Sequence, residues 1–116
     1  MNLAAFYHSG MYPEIYAPDR FHLRFSFRAA SGDIETCTLV YFHKNHRDET
    51  TKEERMSEQY HLGTSVVYVA VVSFQKPARY LQYYFRVTGK DGVTRWFYAW
   101  GTVEKCPDSG FFEYAY

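Results

Sequence analysis

The chain has 116 residues and a formal net charge of zero. That is one ordinary domain, without the basic excess of a protein that leads with phosphate contacts, so nucleic acid is not expected as a partner. Apolar residues make up 47% and charged residues 22%, which excludes disorder, but the aromatic share of 21% (12 Tyr, 10 Phe, 2 Trp) exceeds what one small core holds, so some rings should face outward.

Leu3 to His8 reads as a first short strand. Phe21 to Arg28 alternates without a fault: Phe21, Leu23, Phe25 and Phe27 point one way, and His22, Arg24, Ser26 and Arg28 the other. That is a half-buried strand of an antiparallel sheet. A turn at Gly32-Asp33 leads to a second strand, Glu35 to His43, with Cys37, Leu39 and Tyr41 on one face. Arg47 to Gln59 is strongly polar and reads as a solvated excursion between strands. Within it, Thr50/Thr51 followed by Glu53 and Glu54 resembles the cap of a short helix. Ser65 to Phe74 is apolar on both faces, so something should cover each side. Residues 75–79 turn the chain into Tyr80 to Thr88, Gly89 to Gly92 reads as a hairpin loop, and Thr94 to Trp100 and Phe111 to Tyr116 complete the set. Seven short strands argue for an all-β, immunoglobulin-like antiparallel β-sandwich, one domain over residues 1–116. Phe25, Phe27, Tyr83 and Phe85 are the leading core candidates. The strand-like aromatic ending suggests a domain cut from a longer protein.

The longest apolar run, Val66 to Val72, is far short of the roughly 20 residues that span a bilayer, so no membrane partner is expected. The start has no basic n-region and no extended apolar stretch, so no signal peptide is expected. Cys37 and Cys106 read as the scattered thiols of a cytoplasmic chain rather than a disulfide framework.

No nucleophile elbow, phosphate loop or dinucleotide fingerprint occurs, and no pattern places two carboxylates as acid and base. No catalytic residue and no cofactor is expected. His43 and His46, with Asp48 nearby, could hold a metal in principle, but that spacing outside a helix is a weak signal; a loop presenting donors is a better reading, and plain loop histidines the leading one. His8 reads as a hydrogen-bonded structural histidine.

The strongest signal is aromatic. Tyr80 to Arg86 and Trp96 to Trp100 lie on hairpin-joined strands, so their rings are neighbours. Such a face suits a sugar, whose flat apolar side stacks on a ring while Gln82, Arg86 or Arg95 meet its hydroxyls. The candidate binding or interface residues are Trp96, Tyr98, Trp100 and Tyr84. Two registers are open. Pairing Thr88 with Val93 puts Trp96, Tyr98 and Trp100 beside Leu81, Tyr83 and Phe85. A one-residue bulge puts them beside Tyr80, Gln82 and Tyr84.

Several stretches together resemble one family along the whole chain. They are Leu3-Ala-Ala-Phe-Tyr-His8, Leu23-Arg-Phe-Ser-Phe-Arg-Ala29, the Gly32-Asp33 turn, Cys37 before Leu39-Val-Tyr41, Tyr83-Tyr-Phe-Arg-Val-Thr-Gly89, Trp96-Phe-Tyr-Ala-Trp-Gly101 and Gly110-Phe-Phe-Glu-Tyr-Ala-Tyr116. The chain is similar to the N-terminal domain of neopullulanases, cyclomaltodextrinases and maltogenic amylases, carbohydrate-binding module family 34. The resemblance implies an immunoglobulin-like sandwich preceding a (β/α)8 barrel of glycoside hydrolase family 13, and a parent acting on α-1,4 and some α-1,6 glucans. The catalytic carboxylates would lie in that barrel. It further implies partners: α-glucan or cyclodextrin, the barrel of the same enzyme, and the barrel of a partner subunit, whose cleft the domain narrows. The cleft-facing loop matches His43-Lys44-Asn45-His46. This sequence lacks the acidic residue and the aromatic that relatives commonly place there, so of the loop residues His43, Asn45 and His46, it is Asn45 or His46 that would act through hydrogen bonds. Three readings stand: a glucan-binding domain, a dimerisation domain with little glucan affinity, and an adhesion module, which the missing signal peptide and disulfide disfavour.

Overall fold

The computed structural model describes residues 1–76 and 80–115. After a 3-10 turn at Leu3–Ala5, the described chain forms β1 (Ile15–Asp19), β2 (His22–Ala30), β3 (Ile34–His43), helix α1 (Arg47–Thr50), β4 (Lys52–Arg55), β5 (Ser57–Leu62), β6 (Ser65–Ser73), β7 (Tyr80–Gly89), β8 (Thr94–Tyr98), β9 (Gly101–Val103) and β10 (Phe112–Ala115). Two antiparallel sheets result. One runs β1-β2-β6-β5; the other runs β4-β3-β7-β8-β9, with β10 also on β7. This is the β-sandwich read from the alternation, with ten strands rather than about seven.

The core follows from the period of two. In β2 and β6, Leu23 pairs with Val72, Phe25 with Ala70, Phe27 with Tyr68 and Ala29 with Val66, and all eight side chains are buried inward. Facing them, Leu39 pairs with Phe85 and Tyr41 with Tyr83, while Phe112 of β10 stacks on Tyr83 at 5.4 Å. Phe25, Phe27, Tyr83 and Phe85 are fully buried. Each such ring contributes on the order of 1.5–3 kcal/mol through burial. Phe21 departs from its alternation: β2 starts at His22 and Phe21 is exposed. On the outer side of β6, Val67 is buried but Val71 is exposed, so that face is covered only in part.

Three further expectations need correction. Leu3 to His8 is not a strand: it opens with the 3-10 turn, and only Tyr7 makes a bridge, exchanging two 2.9 Å backbone hydrogen bonds with Arg28. The polar segment 47–59 is not a mere excursion. It supplies β4 to one sheet and the first half of β5 to the other, and buried Met56 makes the crossing, its amide donating to the Cys37 carbonyl at 2.8 Å. Every side chain of β4 and β5 is exposed, so both strands rest on backbone pairing and left no hydrophobic alternation to read. The helix there is Arg47–Thr50, so Thr50 and Thr51 close it rather than cap its start. Their hydroxyls donate back to the carbonyls of His46 and Arg47. The expected turn over 75–79 and the last residue of the final strand fall partly outside the described residues.

The β7–β8 hairpin takes the bulged register. Thr88 pairs with Thr94, Arg86 with Trp96 and Phe85 with Phe97. The loop closes through Gly89 N–H to Val93 O at 2.9 Å and Gly92 N–H to Gly89 O at 3.0 Å, with Gly92 at φ +82°. Phe97 therefore turns inward against Phe6, Phe27 and Phe112. Trp96 and Tyr98 turn outward.

Candidate functional site

That register builds a second aromatic cluster, on the outer face of the six-stranded sheet. Val40, Phe42 and Tyr84 are buried there, with Trp96, Tyr98 and Phe111 packed over them. Phe111 meets Phe42 edge-on at 5.0 Å and stacks on Tyr84 at 5.9 Å. Arg47, from α1, lies over Phe111, Phe42 and Tyr84 at 4.9, 5.4 and 5.9 Å. Its guanidinium donates to the Pro107 carbonyl at 3.2 Å and to the Cys106 sulfur at 3.5 Å. The Cys106 thiol donates to the Tyr84 oxygen at 3.2 Å. Burial pushes the Tyr84 phenol up to about 12, and Cys106 pushes it the same way. Tyr84 is thus the floor of the patch: its ring is covered and its hydroxyl engaged.

Trp100 differs from the others. It lies beyond the end of β8, is 76% exposed, and meets Tyr98 at 6.1 Å between centroids. Gly110 lies directly against both rings. A Cβ there would come within 2.9 Å of each, and its φ of +76° disfavours any side chain. The Ala99 amide bonds to the Gly110 carbonyl at 3.1 Å, tying the segment before β10 to the β8–β9 turn. Trp100 therefore presents an open indole surface on a tied-down support.

Beside Phe111 opens a recess of about 330 Å³ lined by Phe42, Asn45, His46, Arg47, Gln82 and Asp108 among others. Asn45 adopts φ +67°, a left-handed conformation its short polar side chain tolerates, and so turns the chain from β3 into α1. His46 Nδ1 lies 3.0 Å from Glu49. Gln82 donates to Glu113 at 2.8 Å. The loop residues of the sequence reading thus divide: Asn45 and His46 reach this recess, whereas His43 lines a separate cleft on the other side of α1. Among the described residues no group of three His, Cys, Asp or Glu could hold a metal.

The structure brings Tyr84, Trp96 and Tyr98 onto one face, with Trp100 at its end. Phe42, Phe111, Arg47 and Gly110 were not anticipated there. Two signals were available: the unbroken apolar run Leu39 to Phe42 must bury both faces of β3, and the Phe111-Phe112 pair must straddle its sheet. Cys37 and Cys106 are both free thiols. His8 is a buried structural residue: its Nδ1–H donates to the Ser26 carbonyl and its Nε2 accepts from the Tyr83 hydroxyl, each at 2.7 Å. Among the described residues, no helix is long and apolar enough to cross a membrane.

Comparison with known proteins places this architecture. No curated protein sequence matches the chain. Over its full length it superposes on 20% of a solved cyclomaltodextrinase chain, with a TM-score of 0.86 at 19% identity. Over 86% of its length it superposes on 14% of the type III pullulan hydrolase from Thermococcus kodakarensis, with a TM-score of 0.58 at 21% identity. The chain therefore spans a fifth or less of the length of these structures, and the likeness shows a shared fold. The family model of the alpha-amylase N-terminal immunoglobulin-like domain matches residues 1–116, and the chain belongs to that family.

Proposed function

We propose that this chain is a non-catalytic accessory domain of an α-amylase-family glycosidase of neopullulanase or cyclomaltodextrinase type, and that it binds α-glucan or cyclodextrin on the outer face of its six-stranded sheet. The observation that carries the reading is Trp100: an indole 76% exposed, backed by Tyr98 and Gly110, at the end of an aromatic patch beside a polar recess. A pyranose ring stacks its apolar face on the indole, as apolar groups do on aromatic planes. Trp96 and Tyr98 extend the surface, and Asn45 and His46 supply donors and acceptors to the sugar hydroxyls. The lengths of the matched structures support a parent with a separate catalytic barrel. Two free thiols fit a cytoplasmic setting. The test is tryptophan fluorescence during titration with β-cyclodextrin. The parent chain should show a saturable change that the Trp100→Ala chain lacks. No change at millimolar sugar removes autonomous glucan binding.

A second role, docking on a partner subunit so that its active-site cleft is narrowed, is favoured by the opposite face. There Val71, Tyr60 and Leu62 are exposed, and Arg28 and Arg24 lie over Tyr7 and Tyr16 at 5.0 and 5.8 Å. Tyrosine and arginine are enriched in protein interfaces. In the parent enzyme, Tyr60→Ala with Val71→Asp should convert a dimer to monomer in sedimentation while leaving glucan binding intact. An unchanged dimer removes this role.

A further inference from the structure

The cleft on the other side of α1 has no part in the site above. It measures about 780 Å³ and lies between the ends of β3 and β6, closed on one side by α1 and β4. That volume is within the roughly 300–1,000 Å³ typical of small-molecule sites. Its aromatic walls are Tyr41 and Phe74, edge-to-face at 6.1 Å.

Glu49 and Thr50 are engaged, with His46 and with the His46 carbonyl, but other polar groups of the cleft are free. Tyr41 is 8% exposed, yet its hydroxyl makes no hydrogen bond among the described residues. Among the described residues no buried side-chain nitrogen or oxygen lacks a partner, so that hydroxyl is not sealed from solvent, and Tyr41 lines the cleft. The side chains of His43, Lys52 and Gln75 line the cleft, are exposed and make no hydrogen bond or ion pair among the described residues. The lining sets Lys52 and Lys76 against one carboxylate, Glu49, which faces His46 at 3.0 Å, while Glu54, off the lining, acts on Tyr41. Two rings, with donors and acceptors converging from several elements, suit a ligand that offers an apolar face and a rim of hydroxyls.

We infer that this cleft is a second saccharide subsite, taking a short α-glucan segment on its aromatic walls and free donors, and that the chain is bivalent for glucan. The inference rests on the reading of the chain as a glucan-binding domain. Glu49 lines both the cleft and the outer-face recess, so the two subsites share α1 as a wall. Two such sites on one domain raise the affinity for a long chain above that for a short one, because the second contact becomes intramolecular.

The test is calorimetric titration with maltotriose, a ligand too short to need both sites. The parent chain should bind two equivalents, the Lys52→Ala/Gln75→Ala chain one, and the Trp100→Ala chain one. Both cleft positions are exposed, so the fold should survive, as circular dichroism will show. As a second readout, the backbone amides of Thr50, Phe74 and Gln75 should shift on maltotriose addition to the parent. The cleft inference fails, and the outer-face reading survives, when Trp100→Ala abolishes all binding and those amides stay still. Both fail when the parent takes up no maltotriose at all.

Discussion

The two aromatic clusters use the same residue types for different ends. Between the sheets, Phe25, Phe27, Tyr83 and Phe85 are sealed from water, and the polar atoms among them are paired. On the outer face the cluster is finished by a cation instead of a second sheet: Arg47 covers Phe42, Tyr84 and Phe111, and the row ends on an open indole at Trp100. The difference comes from register. One extra loop residue after Thr88 sends Phe97 inward and Trp96 and Tyr98 outward. Surplus aromatic residues thus become a surface without any loss to the core. Inner rings should therefore govern stability, and outer rings ligand affinity.

The sharpest way to break that division is inside. Phe85→Ala removes a fully buried ring that touches Phe27 at 5.1 Å and His8 at 4.8 Å. Chemical denaturation should show a loss of ~3–5 kcal/mol; a cost below ~1 kcal/mol would mean the sandwich does not depend on this layer. Next comes the buried histidine. Burial lowers His8 from its ordinary 6.5 to about 4. The unfolded chain then takes up a proton that the folded chain refuses. Stability contributed by neutral His8 is complete above pH 6.5 and falls with pH down to about 4, by roughly 3 kcal/mol. Urea midpoints measured across that window should decline steadily; a flat profile contradicts the buried, neutral assignment. Arg47→Ala tests the outer lid. Losing one cation over three rings should cost about 1 kcal/mol, read from the thermal midpoint. A loss as large as that of Phe85→Ala would make the outer cluster a second core. Smallest in stability is Trp100→Ala, within ~0.5 kcal/mol of the parent, although its affinity for β-cyclodextrin should fall by at least ~tenfold, or ~1.4 kcal/mol.

Legibility in the sequence tracks burial. Strands with one buried face announced themselves through alternation: β2, β3, β7 and the inward side of β6 stand close to where the pattern puts them. Strands without a buried face did not. β4 and β5 are exposed at every position, and β1 is an edge strand carrying Pro18, so they are held by backbone pairing to the neighbouring strands β3, β6 and β2 and show no buried face. The N-terminal segment misled for the opposite reason. Leu3 to His8 looks strand-like because Phe6 and His8 are both buried, yet one is packed on Phe27 and the other bonded to Ser26 and Tyr83. The site was partly legible. Trp96, Tyr98, Trp100 and Tyr84 were identifiable as an aromatic group, but two registers were equally consistent with the Gly89–Gly92 loop. Only the packed partners of Phe97 select one. The role of Gly110 depends on a contact across the fold that spacing does not reveal.

The chain has two tryptophans, Trp96 half-buried and Trp100 exposed, so two indole N–H resonances report directly on the outer face. They should be followed by two-dimensional NMR as β-cyclodextrin is added. The account predicts a saturable shift of the Trp100 indole, larger than that of Trp96, while the amides of Phe25, Phe27 and Phe85 stay in place. Indole resonances that do not move at millimolar cyclodextrin, or shifts confined to the opposite sheet, would contradict it.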